Sequence, residues 1–154
     1  MMKRTSAGQA LESLIFDTAA TFFLLRARGS QLGVVTPWGA GYGGLLRSLK
    51  LDGPQTVPQL ARSRPVSRQH IQKLANEMLE DGTIEYIDNP AHKRSKLLRL
   101  TPHGEAVFET MSARITEEAE RLADGISTEA LETTLHVLET LRDRLRENLS
   151  HELP

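Results

Sequence analysis

The 154-residue chain has no cysteine. Disulfides and thiol-based redox sensing are therefore excluded, and a cytoplasmic location is expected. No apolar run reaches the length of about 20 residues that a helix needs to cross a bilayer, and the first residues lack a signal-peptide pattern. Catalytic signatures are missing too. There is no G-x-S-x-G elbow and no phosphate-binding loop of the G-x-x-x-x-G-K-[ST] type. The five histidines, His70, His92, His103, His136 and His151, show neither H-x-x-x-H nor H-E-x-x-H spacing, so no metal site is expected. Gly39 to Gly44 match G-x-G-x-x-G. However, no strand precedes them and no acidic residue lies about twenty positions on, so a dinucleotide site is not expected. No enzyme activity and no cofactor follow from these residues.

A further absence is informative. No Asp or Glu occurs between Gly53 and Asn76, or between Asn89 and Gly104. A net charge of −1 hides this asymmetry. Residues 1–52 carry six basic and three acidic side chains, residues 53–104 eight and five, and residues 105–154 five and twelve. A basic middle and an acidic end would orient such a molecule in the field of a polyanion.

The basic middle has a pattern of its own. Val57, Leu60 and Ala61 are spaced for a short packed helix, with Thr56 as N-cap and Pro58 tolerated in the first turn. Arg64-Pro65 breaks it, because the residue before proline avoids the helical region. Ser67 caps a second helix predicted to run to about Glu80, where Asp81-Gly82 stops it. Ile71, Leu74, Ala75, Met78 and Leu79 form one face of that helix. Arg68, Gln69, Gln72, Lys73 and Asn76 form the other, and these side-chain types match base edges in the major groove of DNA. A solvated surface helix has similar composition; the tight turn before it and the hairpin after it favour the groove-reading helix.

That hairpin is predicted from Ile84-Glu85-Tyr86-Ile87 and Leu97-Leu98-Arg99-Leu100, two β-prone runs. Asp88 to Lys96 joins them, rich in turn formers and in positive charge from Lys93, Arg94 and Lys96. A basic loop beside a recognition helix suits a wing entering the minor groove, whose negative potential favours arginine.

The segment resembles the winged helix of the MarR family (multiple antibiotic resistance regulators). The family's wing pattern is Asp-Pro-x-Asp-Arg-Arg-Ala-Lys, then strand residues, then Leu-Thr-x-x-Gly. Here the chain reads Asn89-Pro90-Ala91-His92-Lys93-Arg94-Ser95-Lys96 and Leu100-Thr101-Pro102-His103-Gly104. Leu60-Ala61, Val66-Ser67, and Leu79 with Gly82 and Ile84 match as well. The resemblance implies that Arg94 is the minor-groove arginine, with Lys93 and Lys96 near phosphates. His92 replaces the usual Asp, which in the family helps to hold the wing by pairing with arginine, so the resemblance does not imply that pairing here.

The flanks read as dimerisation helices. Leu11, Leu14, Ile15, Thr18, Phe22 and Leu25 form a stripe near the N-terminus. Val107, Phe108, Met111, Ile115, Ala119 and Leu122 form another, and Leu131, Leu135, Leu138, Leu141, Leu145 and Leu149 a third behind a cap at Ser127. An intramolecular core is the commoner use of such stripes. Three helices alone would leave much of this apolar surface uncovered, which favours a two-fold partner. By resemblance, Thr36 to Leu46 is a helix capped at Thr36 with Pro37 at its first position. Its four glycines are costly there, at about 0.5–1 kcal/mol each. The resemblance also implies a small aromatic or anionic effector between the flanking helices and the winged unit. Phe22, Phe23, Arg26, Trp38 and Tyr42 are the candidate contacts, though each taken singly is as well explained as core or surface.

The expected architecture is mainly α with a small β-hairpin wing. It comprises an N-terminal dimerisation helix in 1–35, a winged helix-turn-helix in 36–104 and C-terminal dimerisation helices in 105–154. The expected function is a transcriptional regulator, a ligand-responsive repressor that binds a palindromic operator in double-stranded DNA as a homodimer. Its DNA contacts would be Ser67, Arg68, Gln69, Gln72, Lys73, Lys93, Arg94 and Lys96. The alternative is a ligand-sensing winged-helix adaptor acting through protein partners, whose binding need not weaken steeply with salt as DNA binding does.

Overall fold

The computed structural model describes residues 4–31, 41–64 and 66–151. The elements are α1 (Ser6–Gln31), α2 (Tyr42–Leu51), α3 (Val57–Arg62), α4 (Arg68–Glu80), β1 (Ile84–Ile87), β2 (Leu97–Leu100), α5 (Pro102–Leu122) and α6 (Thr128–His151). Two compact units divide the chain, residues 1–115 and residues 116–154.

The first unit holds the core. Leu45, Leu46 and Leu49 of α2, Leu60 and Ala61 of α3, Ile71, Ala75 and Met78 of α4, Ile84 of β1 and Leu98 of β2 are all buried together. These are the apolar positions that helical and strand periodicity single out in α3, α4 and the hairpin. Burying them supplies the main drive for folding, at about 25 cal/mol per Å² of apolar surface.

Local signals set the ends of the elements. Thr56 Oγ1 accepts from the Gln59 amide at 3.2 Å, and the Gln59 side chain accepts from the Thr56 amide at 2.8 Å. This reciprocal pair satisfies two amides that the first turn of α3 leaves open. Ser67 Oγ accepts from the His70 amide at 3.1 Å and caps α4. At the far end of α4, Gly82 has φ of 68°. Its amide donates to Leu79 O, and the Thr83 amide donates to Met78 O at 3.0 Å. A left-handed residue with these two crossed bonds closes the helix and turns the chain into β1.

The strands pair antiparallel, with Ile84 opposite Leu100 and Tyr86 opposite Leu98. One feature goes beyond a simple hairpin. Gln55 bridges Leu98 through two backbone hydrogen bonds of 3.1 and 2.8 Å. At that point β2 is paired on both edges. The Gln55 side chain also donates to Ser48 Oγ at 3.1 Å, tying the bridge to α2.

The structure corrects the expected start of α2. The segment from Pro37 to Ala40, with Trp38, and Thr36 itself lie outside the described residues. Gly41 is the N-cap, with an extended backbone (φ −104°, ψ −174°). A helix capped at Thr36 cannot run through such a residue. Glycine gains little from helical order, and the helix begins where Leu45, Leu46 and Leu49 can be buried.

α1 and α6 differ from the core helices. No residue of α1 is buried, and Phe16, Phe23 and Leu24 are about two-thirds exposed or more. In the second unit Gly125 has φ of 77°. Ser127 Oγ accepts from the Ala130 amide at 3.2 Å and opens α6. Leu131, Leu135, Leu145 and Leu149 are exposed along that helix.

Gly104, near the start of α5, has the tightest steric requirement. A Cβ there would sit 1.9 Å from the Thr83 carbonyl oxygen. Gly104→Ala should therefore destabilise the first unit by about 1–3 kcal/mol, the usual range for forced overpacking. Urea unfolding should show a lower midpoint at unchanged slope; an unchanged midpoint would contradict the close approach.

Candidate nucleic-acid interface

α4 and the wing present a shared cleft of about 550 Å³. It is lined by Val57 and Pro58 of α3, Arg68, Gln69 and Gln72 of α4, Tyr86 of β1, and Arg94, Ser95 and Lys96 of the wing. Five of the eight DNA-contact candidates thus come together. Of the other three, Ser67 serves as the cap of α4, and Lys73 and Lys93 are exposed on the outer helix face and the wing. Tyr86, Ser95, Val57 and Pro58 were not singled out as site residues by sequence reasoning. Val57 and Pro58 reach the cleft from α3, and Tyr86 and Ser95 from the hairpin.

The wing is ordered by its own backbone. Asn89 Oδ1 accepts from the Ala91 amide at 3.0 Å, a local side-chain turn of the kind asparagine favours. The His92 amide then donates to Asn89 O and the Ser95 amide to His92 O, both at 3.1 Å. At the base of the hairpin Arg99 donates to Glu85 at 2.8 Å across the strands. Asn89 at the head of the loop thus orders this wing, which lacks the Asp that His92 replaces.

The charges are arranged for an anion. Among the described residues, Arg68, Lys73, Lys93, Arg94 and Lys96 have no carboxylate partner, whereas Arg99 pairs with Glu85, Lys50 with Glu105 and Glu109, and Arg121 with Glu118. On α4 and the wing, the cations that line or flank the cleft are thus left unneutralised, while Arg99 in the same hairpin is neutralised by Glu85. Such a surface raises the local potential and attracts a polyanion.

Arg64, in the turn between α3 and α4, is structural. Its guanidinium donates to Leu60 O at 3.2 Å, to Ser63 Oγ at 2.8 Å and to Gly44 O at 3.0 Å. It fastens the first turn of α2 to the helix-turn-helix. Partial burial lowers its pKa below the usual arginine value, with Asp52 opposing the shift.

Among the described residues, the effector candidates lie on two helices, α1 and α2. Phe22 and Phe23 form an edge-to-face pair on α1, with ring centroids 5.6 Å apart, and Arg26 is exposed on the same helix. Tyr42 sits at the start of α2 with its hydroxyl 2.8 Å from Thr83 Oγ1 and 3.0 Å from an Asp81 carboxylate oxygen. Trp38 lies outside the described residues.

A helix-turn-helix with an ordered, basic hairpin beside its second helix defines a winged-helix protein. No family model matches the chain. An uncharacterized protein of Mycobacterium tuberculosis is 39% identical over 101 residues, covering 66% of each chain. The chain thus spans just under two thirds of this relative's length. The Bacillus subtilis HTH-type transcriptional regulator YdgG, itself uncharacterized, is 30% identical over 104 residues, 66% of this chain and 68% of that protein. Among solved structures, a MarR family transcription regulator is 27% identical and covers 97% of this chain and all of that one, with a TM-score of 0.69. A mutant MarR of E. coli complexed with operator DNA shares the fold at 20% identity and a TM-score of 0.67, over 86% of this chain and 93% of that one. The chain belongs to the MarR family of transcription regulators, a family of regulators rather than enzymes.

Tyr42 provides a test of the network beneath the interface. Burial raises its pKa above the ordinary tyrosine value, and the contact with the Thr83 hydroxyl opposes the shift while Asp81 adds to it. The folded chain therefore holds the phenolic proton more tightly than the unfolded chain. That contribution is complete below the ordinary value of about 10 and is lost as pH rises through the folded value. Tyr42→Phe should lower stability at neutral pH by about 1 kcal/mol, the worth of a typical hydrogen bond. It should also remove part of the alkaline decline in denaturation midpoint; identical alkaline profiles would contradict the assignment.

Proposed function

We propose that the protein is a homodimeric repressor that binds a palindromic operator in double-stranded DNA. The observation that carries this reading is the cleft in which Arg68, Gln69 and Gln72 of α4 lie beside Arg94 and Lys96 of the wing. α4 supplies base-reading side chains for the major groove, and Arg94 reaches the adjacent minor groove. Lys73, Lys93 and Lys96 lie against phosphates, and Ser67 contributes at the α4 N-terminus. Exposed apolar side chains on α1 and on α6 are the surface for a second copy. A two-fold pair of recognition helices would meet half-sites about one helical turn, or about 34 Å, apart.

A small aromatic or anionic effector that releases DNA belongs to the same reading. It is supported by family membership and by the exposed Phe22–Phe23 pair with Arg26 nearby. Trp38 and Tyr42 remain candidate contacts, Tyr42 through its ring, because its hydroxyl is engaged by Thr83 and Asp81. An effector can act only through a difference in affinity between the DNA-competent and DNA-free geometries. Titration of aromatic acids against a protein–DNA complex should find one that lowers DNA affinity. Binders that leave DNA affinity unchanged would refute this part.

The DNA reading is tested directly. Duplexes selected from a random pool should bind with an affinity that falls steeply with salt. Lys93→Ala and Lys96→Ala should each flatten that slope by about 1 and weaken all sequences alike. Arg94→Ala should weaken binding and alter preference in A·T-rich flanks. Salt-independent binding, or full affinity in Arg94→Ala, would favour an adaptor acting through proteins. Sedimentation at micromolar concentration should give the mass of a dimer, and a monomer would overturn the assembly.

A further inference from the structure

Gln72 lies on the reading face of α4, yet its amide is already engaged. Its Nε2 donates to Asn76 Oδ1 at 2.9 Å, one helical turn on, and to the Tyr86 hydroxyl at 3.2 Å. A glutamine amide has two N–H donors and one carbonyl acceptor. Both donors of Gln72 are thus used within the protein, and among the described residues its Oε1 accepts no hydrogen bond. Tyr86 reaches this position from β1. It shares a sheet face with Ile84 and Leu98, both buried in the core, and is itself 39% exposed on the cleft.

We propose that Tyr86 is a positioning residue for base readout, locking the Gln72 amide with only its carbonyl oxygen facing the DNA. This rests on the DNA-reading function proposed above. A free glutamine pairs with adenine through two bonds, donating to N7 and accepting from N6. The locked amide cannot donate. It can only accept, and the major-groove donors are adenine N6 and cytosine N4. The position read by Gln72 therefore admits adenine or cytosine and rejects guanine and thymine, which present acceptors there.

Tyr86→Phe keeps the ring and its packing but removes the hydroxyl that holds one N–H. Gln72 then regains a donor and can form the two-bond contact with adenine. The variant should narrow the position from adenine-or-cytosine to adenine, with cytosine disfavoured by about tenfold, within the range of one bidentate contact. A carboxylate has no donor to release, so Gln72→Glu should keep cytosine acceptable with or without Tyr86→Phe.

The experiment is selection from a pool of duplexes with a randomised 20-base-pair core, sequenced for the wild type, Gln72→Ala, Tyr86→Phe, Gln72→Glu and the Gln72→Glu/Tyr86→Phe double variant. Thermal unfolding is recorded alongside. Gln72→Ala identifies the position by relaxing it. Adenine and cytosine there in the wild type, and adenine alone in Tyr86→Phe, support the proposal. Guanine or thymine in the wild type overturns it. So does a Tyr86→Phe profile identical to the wild type, or one changed equally at all positions as the variant loses stability. Cytosine lost when Tyr86→Phe is added to Gln72→Glu also overturns it. A wild type that selects no sequence contradicts the DNA-reading function itself, which separates the two failures.

Discussion

Thr83 is the residue on which the first unit turns. It follows the left-handed Gly82 and is 2% exposed. Its amide and its hydroxyl both donate to Met78 O, closing α4. Its oxygen lies against the Tyr42 hydroxyl of α2. Its carbonyl accepts from the Thr101 amide at 3.1 Å and lies where a side chain at position 104 would fall. One threonine thus joins α2, α4, β1 and the head of α5. A buried polar residue is tolerable only when every group is satisfied, and here each bond also fixes where an element starts or stops. The angle between the recognition helix and the wing follows from that junction.

Much of this was legible in the sequence, for physical reasons that differ between elements. The strands 84–87 and 97–100 were legible to the residue because two β-prone runs flank a stretch of turn formers. α4 was legible because an apolar face repeats at helical spacing between Ser67 and Gly82, a strong start and a strong stop. The start of α2 was not. The resemblance placed the helix start at Thr36, but glycines leave so little local preference that burial of leucines decides, and burial is a property of the fold. Likewise, spacing places Gln72 on the outer face of α4. It says nothing of Tyr86, fourteen residues away on a strand whose docking joins the two. Asn89 was legible as a turn former, but its use as the brace of the wing depended on where its oxygen points.

Charge shows the same division. The acid-free stretches of sequence anticipate a basic surface, and the structure adds which cations are spent internally. Arg64 reads as part of a basic run, yet it binds three oxygens within the fold. Arg99 is likewise paired with Glu85. Counting basic residues therefore overstates the charge available to DNA, and the unpaired subset is the better measure.

The bridge between Gln55 and Leu98 has a mechanical meaning. A hairpin joined to its domain only at its base can flap about that hinge. Here the returning strand is stitched on its outer edge to the segment entering α3, and the same glutamine grips α2. The wing is an outrigger bolted at two points, to the entry of α3 and to α2. A shift of either anchor would carry the hairpin with it rather than leave it to swing on its base.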